Sequence, residues 1–264
     1  MMISSDFLHR VYNFLTGWIH KRWLGGLQAG FIIRALYIQK AIKSLDHSKR
    51  MSMLDVGCGE QASTSAVFAR RYAQHRFVAT DLFLSPPLPQ LPNLDMIIQN
   101  VQSSCIKNVE QFDVVFSLDM LEHLEEPKQV LENFADWLRK GGFLFLHTPS
   151  GNENNIFQGA RAGEHPGFRP LRPGDQHVRE GFSINELRSW LQEFGFQVRS
   201  AKYTVSPVLL FFKELYTLGE RRRIPGIGLC MLPFIFLTTR CEMMFPPSTG
   251  NGIWVEAVKI KKKS

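Results

Sequence analysis

The sequence predicts an α/β protein built on a mostly parallel sheet, and three observations predict it. Apolar runs alternate with helix-forming segments over residues 51–202, which is the pattern of parallel βαβ units. The run Met51–Val56 leads into Gly57-Cys-Gly59, and a glycine turn between a strand and a helix is typical of a nucleotide-binding corner. Near the end, Ile253–Ile260 alternates apolar and polar residues, which predicts a closing strand.

Two helices are predicted before the core. Apolar residues at helical spacing indicate an amphipathic helix over residues 5–23 and, after Gly25-Gly26, a second helix over residues 27–45. We expect their apolar faces to pack on the sheet. The alternative is that the end of the first helix, which carries Trp18 and Trp23, touches a bilayer.

The core elements follow in an alternating order. The five strands predicted first are Met51–Val56, Arg76–Thr80, Leu94–Gln99, Phe112–Ser117 and Phe143–His147. Helices are predicted over Ala62–Gln74 and over Pro127–Arg139, where Gly141 would end the second helix. Four prolines in Leu84–Pro92 predict an extended loop in place of a helix.

The remaining elements begin with a long polar segment over residues 149–181, and loops of this length are usually functional or mobile. Ser183 and Glu186 form a capping box that opens a helix to Phe194, and Phe196–Lys202 is a predicted strand.

An apolar helical insertion is predicted over residues 203–251. Its uncharged run Ile224–Thr239 contains prolines and glycines and is shorter than the about 20 residues that a bilayer span needs. We therefore reject a transmembrane span, and a lid over the substrate or a membrane-facing hairpin both remain open.

Composition places the chain among globular proteins, since 44% of its 264 residues are hydrophobic and 21% are charged. The four cysteines are scattered and predict neither a disulfide framework nor a zinc site, so we expect a reducing, cytoplasmic location. The N-terminus lacks the layout of a signal peptide.

Charge is distributed unevenly along the chain. Residues 1–50 carry 8 basic and 2 acidic side chains, residues 51–198 carry 12 and 18, and residues 199–264 carry 11 and 4. Basic flanks that are also apolar are typical of contact with the inner, anionic face of a membrane, but they also fit simply solvated charges. Nucleic acid is disfavoured, because a surface that binds phosphates is usually polar rather than apolar.

The glycine corner alone does not identify its ligand, because Gly57-x-Gly59-x-x-Ala62 also satisfies a dinucleotide-binding pattern. The motifs that follow in order are more specific, and they are Asp81, Phe112-Asp-Val-Val-Phe-Ser117, Leu121-Glu-His-Leu124 and Lys140-Gly-Gly-Phe-Leu-Phe-Leu146. Over residues 51–200 the chain resembles the class I S-adenosylmethionine-dependent methyltransferases of the type 11 small-molecule group. This resemblance implies a Rossmann-like, doubly wound sheet of seven strands, the last of them antiparallel.

The resemblance implies S-adenosyl-L-methionine as the cofactor. The residues that it assigns to the cofactor are Asp55, Gly57, Cys58, Gly59, Asp81, Leu82, Asn100, Val101, Ser117 and Leu118. Asp81 would accept hydrogen bonds from both ribose hydroxyls. Asn100 stands where the family usually has an acid beside the adenine, and Ser117 and Leu118 would face the methionine part.

Three histidines are candidate bases for removing a proton from the acceptor. His123 follows the fourth strand, His147 ends the fifth strand, and His177 lies in a segment that resembles the His-x-Arg stretch of relatives acting on sugars. Each could instead be structural and hold a loop. The acids and histidines lack the spacing of a divalent-ion site, so no metal centre is predicted.

The predicted function is methyl transfer, with an oxygen of a small, hydrophobic or lipid- or sugar-linked molecule as the acceptor. The alternatives are a membrane-peripheral scaffold that keeps this fold and, more remotely, a nicotinamide-dependent oxidoreductase. The predicted organisation is a helical segment at 1–50, the cofactor-binding core at 51–202, the apolar insertion at 203–251, and the last strand with a basic tail at 252–264. The sequence does not indicate the oligomeric state.

Overall fold

The computed structural model describes residues 29–102, 111–151, 154–157, 177–222, 224 and 226–260. The predicted first helix over residues 5–23 lies outside the described residues, as do the lysines of the basic tail and most of the polar segment over residues 149–181.

Seven strands form one sheet in the order β3-β2-β1-β4-β5-β7-β6. Strands β1 to β5 are mutually parallel, and β7 pairs antiparallel with both β5 and β6. This confirms the predicted doubly wound sheet with an antiparallel last strand. The strands are β1 (Ser52–Val56), β2 (Arg76–Asp81), β3 (Leu94–Ile98), β4 (Phe112–Leu118), β5 (Leu138–Pro149), β6 (Phe196–Thr204) and β7 (Gly252–Lys259).

Helices cover both faces of the sheet, and two hydrophobic clusters mark the two layers. The helices are α1 (Ala29–Lys43), α2 (Ser63–Arg71), α3 (Pro127–Trp137), α4 (Ile184–Glu193), α5 (Pro207–Arg221) and α6 (Ile227–Met244). Side chains of α1, α2, α5 and α6 share one cluster, and those of α3 and α4 share the other. The predicted packing of the helix at residues 27–45 on the sheet is confirmed, because Ile32, Ile33 and Ile38 of α1 are buried in the first cluster.

The boundary between α3 and β5 differs from the prediction. The helix ends at Trp137 rather than Arg139, and β5 begins at the next residue. Gly141, with φ of 82°, lies inside β5 and does not end the helix. The pairing of β4 with β5 is irregular here, because Phe112 pairs with Leu138 while Val114 pairs with Phe143. A glycine in a strand often marks such a bulge, and that is why its helix-stop interpretation was wrong.

Two other local predictions are confirmed. Residues 82–93 contain no helix. The Ser183 side chain accepts a hydrogen bond from the Glu186 backbone, and Glu186 returns one to Ser183, so the capping box is present.

The apolar insertion forms the helix pair α5 and α6. Glu242 of α6 connects it to the sheet, since its carboxylate accepts hydrogen bonds from the backbone N–H groups of Val205 (3.0 Å) and Ser206 (2.9 Å). These groups lie just before α5, where helical N–H groups lack partners within the helix. Across the described residues, no helix combines the length and the apolar character that crossing a membrane requires.

Candidate functional site

A cavity of about 720 Å³ opens at the carboxyl ends of the parallel strands, where ligands bind in open α/β sheets. Loops after β1, β4 and β5 form its floor, and helices α1 and α5 form its walls. Its volume is that of a small-molecule site. The polar side chains that line it are Arg34, Asp55, Ser63, Thr64, Asp119, Glu122, His123, His147, His177, Lys213, Tyr216, Thr217 and Asn251.

The glycine corner lies on the floor of this cavity. Gly57 and Gly59 both have positive φ, 77° and 74°, and both line the cavity. A Cβ on Gly57 would collide with the Met120 side chain, whereas a Cβ on Gly59 would meet open space. Gly59 is therefore required by its backbone conformation, which L residues rarely adopt. The open space leaves its backbone accessible to a ligand.

Asp55 lies at the end of β1 under the same corner. Its side chain is 2% exposed, and the Ser65 hydroxyl donates to its Oδ2 at 2.6 Å. The pKa of Asp55 is raised to about 7, chiefly by burial; the Ser65 hydrogen bond lowers it in part, and the Asp81 charge adds to the increase. A carboxyl group that titrates near neutral pH and faces a cavity is shifted to its ionised form by a cationic ligand bound beside it.

Asp81 ends β2, the strand next to β1, and the structure brings it to the corner. Its Oδ2 accepts a hydrogen bond from the Gly59 N–H at 2.8 Å, and its Oδ1 accepts one from the Phe83 N–H at 3.2 Å. The following Leu82 is 42% exposed. Burial and the nearby carboxylates raise the pKa of the Cys58 thiol, so this cavity-lining thiol stays protonated.

The other predicted cofactor residues lie farther along the same edge. Leu118 lines the cavity, while the buried Ser117 hydroxyl donates to the Val56 carbonyl at 2.8 Å and joins β4 to β1. Asn100 accepts a hydrogen bond from the Gln102 N–H at 3.0 Å. Val101 is buried, and its carbonyl accepts from Asn133. The assignment of these residues to the cofactor stays a prediction.

His147 belongs to a chain of hydrogen-bonded polar side chains at the wall of the cavity. Its Nδ1 lies 2.5 Å from Asp119 Oδ1, and its Nε2 lies 3.0 Å from the Thr204 hydroxyl. Arg34 of α1 forms an ion pair with the other oxygen of Asp119. The neighbouring His147 and Arg34 charges hold the pKa of Asp119 well below its usual range, although burial opposes them. The ionised Asp119 therefore keeps a proton on His147 Nδ1.

Arg34 and Asp119 were not predicted from the sequence as residues of the site. Arg34 is 85 residues before Asp119, and contact between them depends on α1 packing over the sheet. Asp119 did have one local signal, since it directly follows a predicted strand at the edge where ligands bind. Its φ of 52° is rare for a residue other than glycine.

Glu122, His123 and His177 form a second polar group in the cavity. One ligand atom from each side chain lies within 4.8 Å of the other two, and the His123 and His177 ring centroids are 4.8 Å apart. Glu122 is 1% exposed and accepts a hydrogen bond from the Thr148 hydroxyl at 3.3 Å. Burial and the Asp119 charge raise the pKa of Glu122 well above its usual range.

The segment that carries His177 is attached to the turn that carries His123. The Val178 N–H donates to the Glu122 carbonyl at 2.9 Å. The Arg179 guanidinium bonds Glu186 at 3.0 Å and lies 4.1 Å from the centre of the Phe182 ring. The structure thus brings all three predicted histidines to one cavity.

Comparison with known proteins gives sequence relatives that include ubiquinone biosynthesis O-methyltransferases. The chain is 30% identical over 155 residues to a protein of Xanthomonas axonopodis pv. citri (strain 306) named ubiquinone biosynthesis O-methyltransferase, covering 55% of this chain and 62% of that protein. It is 24% identical over 175 residues to the protein of the same name from Coxiella burnetii (strain Dugway 5J108-111), covering 63% of this chain and 70% of that protein. The chain thus spans less than two thirds of the length of the Xanthomonas relative.

Solved structures show the same fold. Phosphoethanolamine N-methyltransferase 2 of Haemonchus contortus, in complex with S-adenosyl-L-methionine, superposes with a TM-score of 0.58 at 17% identity. The superposition covers 98% of this chain and 61% of that one. The profile of one family, described as a methyltransferase domain, matches residues 32–201, which include most of α1, the glycine corner and strands β1 to β5. The chain belongs to this methyltransferase domain family.

Proposed function

We propose that this protein transfers a methyl group from S-adenosyl-L-methionine to an oxygen of a small, hydrophobic acceptor. One observation carries the proposal: a single cavity has the glycine corner with Asp55 on one side and three imidazoles on another. The first group can hold the cofactor and the second can receive a proton from a hydroxyl.

The residues around the corner fit the parts of the cofactor. The bound cofactor supplies an electrophilic methyl group on a positively charged sulfur. Asp55 provides a negative charge at the end of β1, Gly59 provides open space along its backbone, and Asp81 provides carboxylate oxygens that can accept from ribose hydroxyls.

The acceptor would lie between the histidines and α5. Tyr216 and Phe31 give this part of the cavity an aromatic surface, and Lys213 and Thr217 add polar contacts. The names of the sequence relatives favour an oxygen on a ring of the ubiquinone type. His123 and His177 face the same space, so we assign the acceptor hydroxyl to their neighbourhood.

Calorimetric titration with S-adenosylmethionine and S-adenosylhomocysteine tests the cofactor assignment. We expect both to bind wild-type protein and Asp81→Ala to weaken binding by at least about tenfold, since hydrogen bonds to a charged group contribute about 1.5–3 kcal/mol. Asp95→Ala, on the neighbouring β3, is the matched control, because Asp95 is exposed and paired with Arg76. Absence of binding to wild-type protein, or equal binding by the Asp81 variant, would contradict the assignment.

The acceptor is tested by transfer of a radiolabelled methyl group to a dihydroxybenzene with a short isoprenoid chain. We expect an O-methylated product, and an N-methylated product from an amine would correct the acceptor atom. Cofactor binding with no transfer to this compound or to a cell extract would instead favour a scaffold that retains the fold.

We further propose that α5 and α6 rest on an anionic membrane surface, which would suit a lipid-linked acceptor. The exposed fraction of their apolar side chains supports this, with Leu237 at 61%, Met244 at 71% and Phe245 at 76%. Arg240 lies on the same helix, over the Phe236 ring. Apolar side chains next to basic ones are typical of interfacial helices.

A further inference from the structure

We infer that Glu122, His123 and His177 form a binding site for one divalent transition-metal ion, such as Zn²⁺, at the acceptor end of the cavity. One carboxylate and two imidazoles are a ligand set used by catalytic zinc sites and by non-haem iron sites. Such sites leave further coordination positions open for water or substrate.

The geometry of the three side chains carries this inference. Their ligand atoms lie within 4.8 Å of one another, while ligands about 2.0–2.2 Å from a zinc ion would lie roughly 3.5 Å apart. The required movement is therefore at most about 1.3 Å. His177 is exposed, so a rotation of its side chain can supply that movement without disturbing the core.

The carboxylate is held as a metal ligand would be. Glu122 is 1% exposed, and the Thr148 hydroxyl donates to its Oε2, while its Oε1 lies 4.0 Å from His123 Nε2. Hydrogen bonds from a second layer of residues orient metal-binding carboxylates in this way.

The third ligand is presented by a fixed segment. Backbone N–H groups of Val178 and Arg179 both donate to the Glu122 carbonyl, at 2.9 and 3.4 Å. Arg179 is itself held by Glu186 and by the Gly181 carbonyl at 3.1 Å. His177 is therefore tied through its neighbours to the residue that supplies the carboxylate, although 55 positions separate them in the sequence.

The ion would face the space that we assign to the acceptor. All three ligands line the cavity with Leu118 and Tyr216. An ion at this position would hold an acceptor oxygen and lower the pKa of its hydroxyl. This role rests on the proposed function, whereas metal binding itself does not.

The test uses full-length protein without a histidine tag, treated with a chelator and then titrated with Co²⁺. We expect one equivalent to bind with visible absorption bands, and Zn²⁺ to displace it. Glu122→Gln and His177→Ala should abolish the bands, and Thr148→Val should weaken binding about 10- to 100-fold, the usual effect of losing a second-layer partner. Glu125→Gln is the matched control, because Glu125 is an exposed acid in the same turn and should leave binding unchanged.

Two results would overturn the inference: no binding of Co²⁺ or Zn²⁺ by wild-type protein, or binding that persists in both His177→Ala and Glu122→Gln. Titration of each protein with S-adenosylhomocysteine shows whether a variant has folded and separates the two proposals. Cofactor binding without metal binding rejects the metal site alone. Metal binding without cofactor binding rejects the proposed function alone.

Discussion

The charge state of Asp55 changes near physiological pH. Its pKa is about 7 in the folded protein and about 3.9 in an unfolded chain. The ionised form would attract a cationic cofactor, and the protonated form would not. We therefore expect the affinity for S-adenosylmethionine to rise between pH 6 and pH 8 and this rise to be lost in Asp55→Asn, as measured by calorimetry at several pH values. An equal rise in the variant would assign the titration to another group.

The same shift in pKa predicts a trend in stability. A folded-state pKa above the unfolded value means that the folded protein holds the proton, so the contribution of Asp55 is complete below pH 4 and is lost as the pH rises to 7. The loss is about 4 kcal/mol at most, since one pKa unit corresponds to about 1.36 kcal/mol. Urea unfolding at pH 5 and pH 7.5 should show Asp55→Asn gaining stability relative to wild type at the higher pH. A constant difference between the two proteins would contradict this.

At the scale of elements, a pair of neutral histidines connects α1 to the sheet. The Met51 N–H donates to His75 Nδ1 at 3.2 Å, so His75 Nε2 carries the proton and donates to His47 Nδ1 at 2.7 Å. His47 Nε2 then donates to the Ile42 carbonyl at 2.9 Å, at the end of α1. All four ring nitrogens take part in this chain of hydrogen bonds, and it contains no acceptor for an added proton.

Acid should therefore loosen this connection. Burial and His47 lower the pKa of His75, and Asp113 opposes them. Because the folded-state pKa lies below the unfolded value near 6.5, this stability is complete above pH 6.5 and is lost as the pH falls through the folded pKa. We expect hydrogen exchange at the Met51 amide, corrected for its intrinsic rate, to be faster at pH 5.5 than at pH 7.5. In His75→Gln the exchange should change less, and an equal change would assign the effect elsewhere.

The elements show how far sequence can predict this fold. The positions of Gly59 and Asp81 were predictable because parallel strands bring their carboxyl ends to one edge, and the capping box at Ser183 because its partners are three residues apart. The contacts of Arg34 with Asp119 and of Glu122 with His177 were not predictable. They depend on how α1 and the segment at residues 177–181 pack. The local spacing of residues in the sequence does not indicate where either segment packs. Gly141 was misassigned because a glycine favours a strand bulge as readily as a helix end.

At the scale of the molecule, we expect the face formed by α5 and α6 to bind anionic liposomes. Replacing both Leu237 and Phe245 with serine should reduce sedimentation with vesicles by about tenfold or more, since a fully buried apolar side chain contributes about 1.5–3 kcal/mol. Salt should also weaken binding by screening the basic residues. Ile98→Ser is the control, because Ile98 is 65% exposed on β3 at the other edge of the sheet. If the double variant sediments like wild type, the exposed apolar side chains have another role.

The position of β7 between β5 and β6 delays the pairing of β6 during synthesis. β6 lies at the edge of the sheet and pairs with β7, which begins about 50 residues after β6 ends. At roughly 5–20 residues per second, the ribosome needs about 3–10 s to supply those residues. During that time β6 has no strand beside it, and α5 and α6 are being made. A nascent chain therefore presents an unpaired strand and an apolar helix pair together, and this interval is when it would most need a chaperone.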